Sequence, residues 1–249
     1  MKCYGVTDKG LVRKQNQDSY IIATNEVNDC LALVCDGIGG ANGGEIASKM
    51  AIDYFSMVFS EHKGFKDIDD AVSYLRYHII KCNERIYKKA TNELKYKGMG
   101  TTLSGILISS VGKVIINIGD SRVYGINENK EFLQLSEDHT LVNDMLKHHE
   151  ITYEQALNHP KKNVLTNAMG VWNSVKIDLI PYPEVLNSIL ICSDGLHGYV
   201  AKEVIEEVMK TNTLTATLKM RKLLNLSLRV GGYDNITIIL IELEKGDNR

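Results

Sequence analysis

Runs rich in Val, Ile and Leu come in groups along this chain, and helical stripes come in pairs between the groups. Strand-like runs fall at 19–23, 31–36, 101–109, 113–119, 122–126, 175–180, 188–193 and 235–243, several of them separated only by short turns. After the second run, Ile46, Ala47, Met50, Ala51, Tyr54, Phe55, Val58 and Phe59 recur at helical spacing; Ile68, Ala71, Val72, Leu75, Ile79, Cys82 and Ile86 draw a second stripe. Two more helices are expected at 202–210 and 214–228, just before the last strand. A parallel doubly wound sheet would alternate strand and helix regularly, whereas the tight connection from Gly119 to Arg122 favours antiparallel hairpins. Two antiparallel sheets with helices outside them cover every stripe.

The chain has 249 residues, 44% of them apolar, enough for a sizeable core. Three prolines and no low-complexity linker predict one continuous domain over 1–249. Between 139 and 162 the pattern turns polar, which reads as an irregular edge insertion of the kind that carries specificity. Basic and acidic residues number 29 and 31 without long runs, so no nucleic-acid tail or polybasic membrane patch is expected. The start MKCYGVTDKG lacks an export signal, and no apolar stretch is long enough to span a bilayer. Five cysteines, an odd number with no CxxC, lie mostly in or beside apolar runs and suit a reducing cytoplasm.

Five aspartates stand at or beside strand ends: Asp18 in NQDSY, Asp36 in VCDGIGG, Asp120 in NIGDSR, Asp194 in ICSDGLHG and Asp234 in GGYDNIT. Any one of them reads as a turn residue. Asp36, Asp120 and Asp194, however, close strongly apolar strands, where an unpaired carboxylate is costly unless a cation or hydrogen bond compensates it. All-oxygen donors select hard cations such as Mg²⁺ or Mn²⁺, and the seven histidines form no HxxxH or HExxH zinc motif. Two such ions about 3.5–4 Å apart serve phosphate-ester hydrolysis. A phosphate dianion also calls for a planar cationic donor, and Arg13, five residues before Asp18, is the candidate. The run DGIGGANGG fails as a dinucleotide loop because position 42 is Asn42. It suits backbone that approaches a metal, with the Gly37 carbonyl as a possible ligand and a helix starting near Gly43 or Gly44.

The ordered set GLVRKQNQDS, LVCDGIGGANGGEIAS, GMGTTLSGILI, NIGDSRVYGI, LSEDHTLV, NVLTNAMG, LICSDGLHGYV and GGYDNITIILI resembles the metal-dependent type 2C serine/threonine protein phosphatases in their compact bacterial form. The resemblance implies an α+β fold, a four-layer αββα sandwich with two or three Mn²⁺ or Mg²⁺ ions at one end. It implies that Asp36 bridges two metals, that the Gly37 carbonyl completes one sphere and that Asp194 and Asp234 complete the other. Asp18 would orient water or reach a metal directly, Asp120 would join Asp194 at a third metal, and Arg13 would bind phosphate. Residues 141–165 would form a flap, preceded by Asp138, His139 and Thr140.

Three positions depart from the family pattern. Ile38 stands where many eukaryotic members have a histidine proposed as general acid, which leaves metal-bound water or His139 to protonate the leaving alkoxide. Gln17 replaces a glutamate, and Lys162 and Asn167 stand where arginines are common.

The expected reaction is direct attack of a metal-bridging water on phosphoserine or phosphothreonine, with Arg13, Asp36, Asp194 and Asp234 as catalytic residues. The expected partners are phosphorylated proteins and a eukaryotic-like Ser/Thr kinase, and the enzyme is expected to be a monomer. A cysteinyl-phosphate route fits poorly, since the one cysteine soon followed by arginine, Cys82 with Arg85, lies in a helical stripe. An inactive scaffold of the same fold is the alternative, and its mark would be loss of the metal carboxylates.

Overall fold

The computed structural model describes residues 1–40, 43–244 and 247; Asn42, on which the dinucleotide reading failed, lies outside them. In chain order the strands are β1 (Lys2–Asp8), β2 (Ser19–Thr24), β3 (Cys30–Cys35), β4 (Gly37–Ile38), β5 (Gly100–Thr101), β6 (Leu103–Ser109), β7 (Gly112–Ile118), β8 (Arg122–Asn127), β9 (Phe132–Gln134), β10 (Asp178–Pro181), β11 (Leu186–Cys192) and β12 (Ile236–Glu242). The helices are α1 (Gly43–Ser60), α2 (Ile68–Asn92), α3 (Leu141–Lys147), α4 (Tyr153–Leu157), α5 (Asp194–His197), α6 (Lys202–Lys210) and α7 (Ala216–Arg229). One five-stranded sheet has the order β1-β12-β11-β8-β9, the other β10-β7-β6-β3-β2, and β4 pairs with β5 beside them.

Successive side chains of a strand point to opposite faces, and here both faces are apolar. In β3, Leu31, Leu33 and Cys35 pack with α1 and α2, while Cys30, Ala32 and Val34 pack against the other sheet. In β12, Ile236, Ile238 and Leu240 pack with α6 and α7, while Ile239 and Ile241 pack with Cys30, Ala32 and Val34 between the two sheets. Three apolar cores therefore separate four layers, and the fold is an α+β sandwich of two antiparallel sheets flanked by helices. Asp67 caps α2 by accepting from the Asp70 N–H at 2.8 Å, and Thr215 caps α7 in the same manner.

Three strands fall outside the expected runs, among them the two-residue β4. Strand β1 is half-buried and interrupted by Gly5, where a Cβ would lie 2.3 Å from the Tyr20 ring; its pattern serves that packing rather than alternation. Strand β9 has only three residues. The expected run 101–109 divides at Thr102, so that Gly100–Thr101 pairs with β4 and Leu103–Ser109 enters the sheet. The run expected at 175–180 starts only at Asp178.

Register brings the functional ends to one edge. Cys35 of β3 pairs with Ser19 of β2, and Cys192 of β11 pairs with Arg122 of β8 and Ile238 of β12. The insertion after Thr140 carries α3 and α4 and is closed at its base by the Thr140–Leu165 bridge and by the Leu141 N–H donating to the Val164 carbonyl at 2.9 Å. Among the described residues no helix is long and apolar enough to cross a membrane.

Candidate metal centre

Asp36 leaves a fully buried strand and is fixed at both its peptide groups. Its N–H donates to Thr102 Oγ1 at 2.9 Å, and its carbonyl accepts from the Thr102 N–H at 2.9 Å and from Thr101 Oγ1 at 3.0 Å. Thr102 Oγ1 also meets Ser121 Oγ at 2.8 Å, so the same threonine ties in the turn that carries Asp120. Next along the chain, Gly37 donates to the Gln17 carbonyl at 3.2 Å. A Cβ on Gly37 would lie 2.2 Å from the Gly44 carbonyl oxygen and 2.5 Å from that of Gln17. Both obstacles are backbone. Gly37→Ala is therefore expected to destabilise the protein by about 1–3 kcal/mol in denaturant titration and to displace Asp36. A variant of parental stability would refute the tight approach.

Asp18 and Asp194 meet from opposite ends of the sequence. Ser193 Oγ donates to Asp18 Oδ2 at 2.7 Å, while Asp18 Oδ1 and Asp194 Oδ1 are buried without a hydrogen-bond partner. Asp194 stands beside the end of β11, as expected from the sequence, and is the first residue of the short helix α5. Burial pushes the Asp18 carboxyl up to about 7, with Ser193 opposing the shift. Asp120 rises to about 8 through burial and then the charge of Asp194; Asp194 rises to about 6 through burial and then Asp234. Asp36 is held well above the usual range by burial and then by Asp18 and Asp194.

Such a group of acids is electrostatically incomplete. Two orphaned buried oxygens and carboxyls driven toward their protonated forms fit hard divalent cations. Among the described residues, no three His, Cys, Asp or Glu side chains converge tightly enough to enclose an ion by themselves.

Arg13 sits at the mouth of this group, donating from Nη2 to Asp234 Oδ2 at 2.6 Å. Its loop is held by Asn235, whose Nδ2 donates to the Lys9 and Gln15 carbonyls, both at 2.9 Å, and whose Oδ1 accepts from the Gln17 N–H at 2.8 Å. The sequence reading gave no role to Asn235, Thr101, Thr102 or Ser193, although each stands beside or within a quoted motif.

His139 is buried away from solvent, and both ring nitrogens are engaged. Nδ1 faces the Gly119 N–H at 3.2 Å and Asn167 Nδ2 at 2.8 Å, which makes it an acceptor and leaves the proton on Nε2, 2.8 Å from Asp178 Oδ2. Asn167, standing where arginine is common, thus braces His139, and it also bonds the Lys176 backbone on both sides. Lys162 is exposed. Asp138 holds Arg122 through both carboxylate oxygens, at 2.6–3.0 Å. Cys35, Cys82 and Cys192 are buried, and burial pushes the Cys82 and Cys192 thiols up to about 12, far from the thiolate a nucleophile needs.

A double antiparallel sandwich with an acidic centre at one edge and an arginine over its mouth defines a class of folds equipped to handle phosphate through hard cations. A sequence profile of protein phosphatase 2C matches residues 12–228. The chain belongs to the protein phosphatase 2C family. It is similar to the serine/threonine phosphatase stp of Listeria monocytogenes, 36% identical over 237 residues that cover 95% of this chain and 93% of that one. It is 30% identical to protein phosphatase PhpP of Streptococcus pneumoniae over 97% of each chain. Among solved structures, the serine/threonine phosphatase Stp1 of Staphylococcus aureus superposes with a TM-score of 0.91 at 34% identity, covering 98% of this chain and 95% of that one. The Mycobacterium tuberculosis serine/threonine phosphatase PstP/Ppp gives 0.86 at 30% identity, with 98% of each chain covered.

Proposed function

We propose that this chain acts as a single catalytic domain that hydrolyses phosphoserine and phosphothreonine in proteins, opposing a Ser/Thr kinase of the eukaryotic-like type in the cytoplasm and working as a monomer. The observation that carries this reading is the pair of partnerless buried oxygens, Asp18 Oδ1 and Asp194 Oδ1, behind an arginine. Asp36, the Gly37 carbonyl, Asp194 and Asp234 would hold two Mn²⁺ or Mg²⁺ ions, with Asp120 and Asp194 available to a third. When bound, the ions supply a hydroxide nucleophile near neutral pH and offset charge on the phosphoryl oxygens.

The protein's own groups do the rest. Arg13 binds the phosphoryl oxygens and, because Asp234 and the Asn235-braced loop orient its guanidinium, aligns the ester for in-line attack. Asp18, anchored through Oδ2 by Ser193, keeps Oδ1 for the centre. His139 is a positioning residue rather than the general acid, since its proton is committed to Asp178.

The test is hydrolysis of a phosphothreonine peptide by metal-stripped protein titrated with Mn²⁺ or Mg²⁺. Turnover that needs added metal supports the reading; silence with every phosphopeptide and both metals overturns it. Arg13→Ala is expected to raise KM about tenfold or more, with a smaller fall in kcat, and Arg13→Lys to recover only part of the loss. Unchanged KM in steady-state kinetics would remove Arg13 from the phosphate site.

A further inference from the structure

The surface beside the acidic centre is apolar. Leu11, Val12 and Tyr233 are 69%, 60% and 53% exposed, and Val230 and Tyr199 are 45% and 39% exposed. These side chains belong to one rim. The Gly232 carbonyl accepts from the Leu11 N–H at 2.8 Å and the Val12 N–H at 3.2 Å, which fastens the loop before Arg13 to the turn after α7. The Tyr199 and Tyr233 rings lie 5.5 Å apart. Gly231 and Gly232 have φ of 129° and 51°, and a Cβ there would meet the Tyr233 ring at 2.3 Å and the Leu11 side chain at 2.9 Å, so this turn is bracketed by the two side chains. Arg13 follows Val12 directly, Asp234 follows Tyr233, and the two are ion-paired at 2.6 Å. Folded monomers seldom leave a contiguous apolar patch without a use for it.

We propose that this rim binds bulky apolar side chains next to the phosphorylated residue of a protein substrate, so that sites flanked by Leu, Ile, Phe or Tyr are preferred to sites flanked by charge. The proposal builds on phosphoprotein hydrolysis at the centre. Continuity with Arg13 selects this occupant: an extended peptide advances about 3.3 Å per residue, so a phosphate held by Arg13 carries its immediate neighbours over the adjoining Leu11, Val12 and Tyr233. Charged neighbours would be desolvated against these side chains, and the Lys-flanked peptides give the cleaner comparison because exposed Lys9 and Lys14 lie on the same loop.

The experiment compares kcat/KM for matched phosphothreonine peptides carrying Leu and Phe, or Asp and Lys, beside the phosphorylated residue, with p-nitrophenyl phosphate as a substrate without flanks. About a tenfold preference for apolar flanks is expected, expressed mainly in KM. It should collapse toward equality in Leu11→Ser and Tyr233→Ser, with parental turnover of p-nitrophenyl phosphate showing that the turn they bracket is intact, and persist in Leu218→Ser at the opposite end of α7. Equal kcat/KM for the two peptide sets, with p-nitrophenyl phosphate still hydrolysed, overturns the rim and leaves the phosphatase reading standing. Failure to hydrolyse any ester overturns both. A concentration-dependent dimer in sedimentation that Leu11→Ser dissolves would assign the rim to a second copy and also overturn the proposal.

Discussion

Asp36→Ala is expected to lower metal-dependent turnover at least about a thousandfold, equivalent to about 4 kcal/mol of barrier, in a protein that remains folded. Its backbone is fixed by Thr101 and Thr102 rather than by its side chain, so removing the carboxylate leaves β3, β4 and β5 in place. The side chain itself is a liability to the metal-free fold, half-buried beside the like charges of Asp18, Asp194 and Asp120. The variant should therefore melt no lower than its parent without metal, and Mn²⁺ should raise its melting temperature less. Turnover, calorimetric metal binding and thermal unfolding test the three parts together. A folded Asp36→Ala protein with parental metal-dependent activity would remove Asp36 from the centre.

The second large effect concerns stability and pH. In the fold Asp18, Asp120 and Asp194 are raised from 3.8 to about 7, 8 and 6. Between pH 4 and each group's own folded value the native state therefore binds more protons than the unfolded chain, so metal-free stability falls as pH rises, most steeply up to pH 6, where all three groups contribute. The stabilisation is complete below pH 4 for these groups and lost above pH 8. Divalent cations replace the protons, so the gain in melting temperature on adding Mg²⁺ or Mn²⁺ should be small at pH 5 and large at pH 8. A melting temperature of the metal-free protein that rises steadily from pH 5 to 8 would contradict the buried carboxyls as its main titrating groups.

The layers were legible because β3, β6, β7, β11 and β12 are apolar on both faces, which only burial between two further layers explains. The carboxylates were legible because Asp36 interrupts such a strand. Their supports were not. Thr102 reaches Asp36 across 66 residues and Ser193 reaches Asp18 across 175, and neither a hydroxyl nor an amide announces in sequence which distant group it will meet. His139 shows the converse limit: its place in a motif suggested chemistry, while the bonds to Asp178 and Asn167 that occupy it depend on tertiary register. The rim of Leu11 and Tyr233 carried no sequence signal, since exposure is decided by the fold.

Asn235 and Asp234 lie at the entrance to β12, and β12 is the strand on which β1 completes its pairing. Arg13 and the group that aims it, Asp234, stand 221 residues apart in the sequence. A nascent chain therefore carries its arginine without an aim until the ribosome has passed residue 235. Pairing of β12 and orientation of Arg13 are thus one event, since Asp234 and Asn235 lead into that strand.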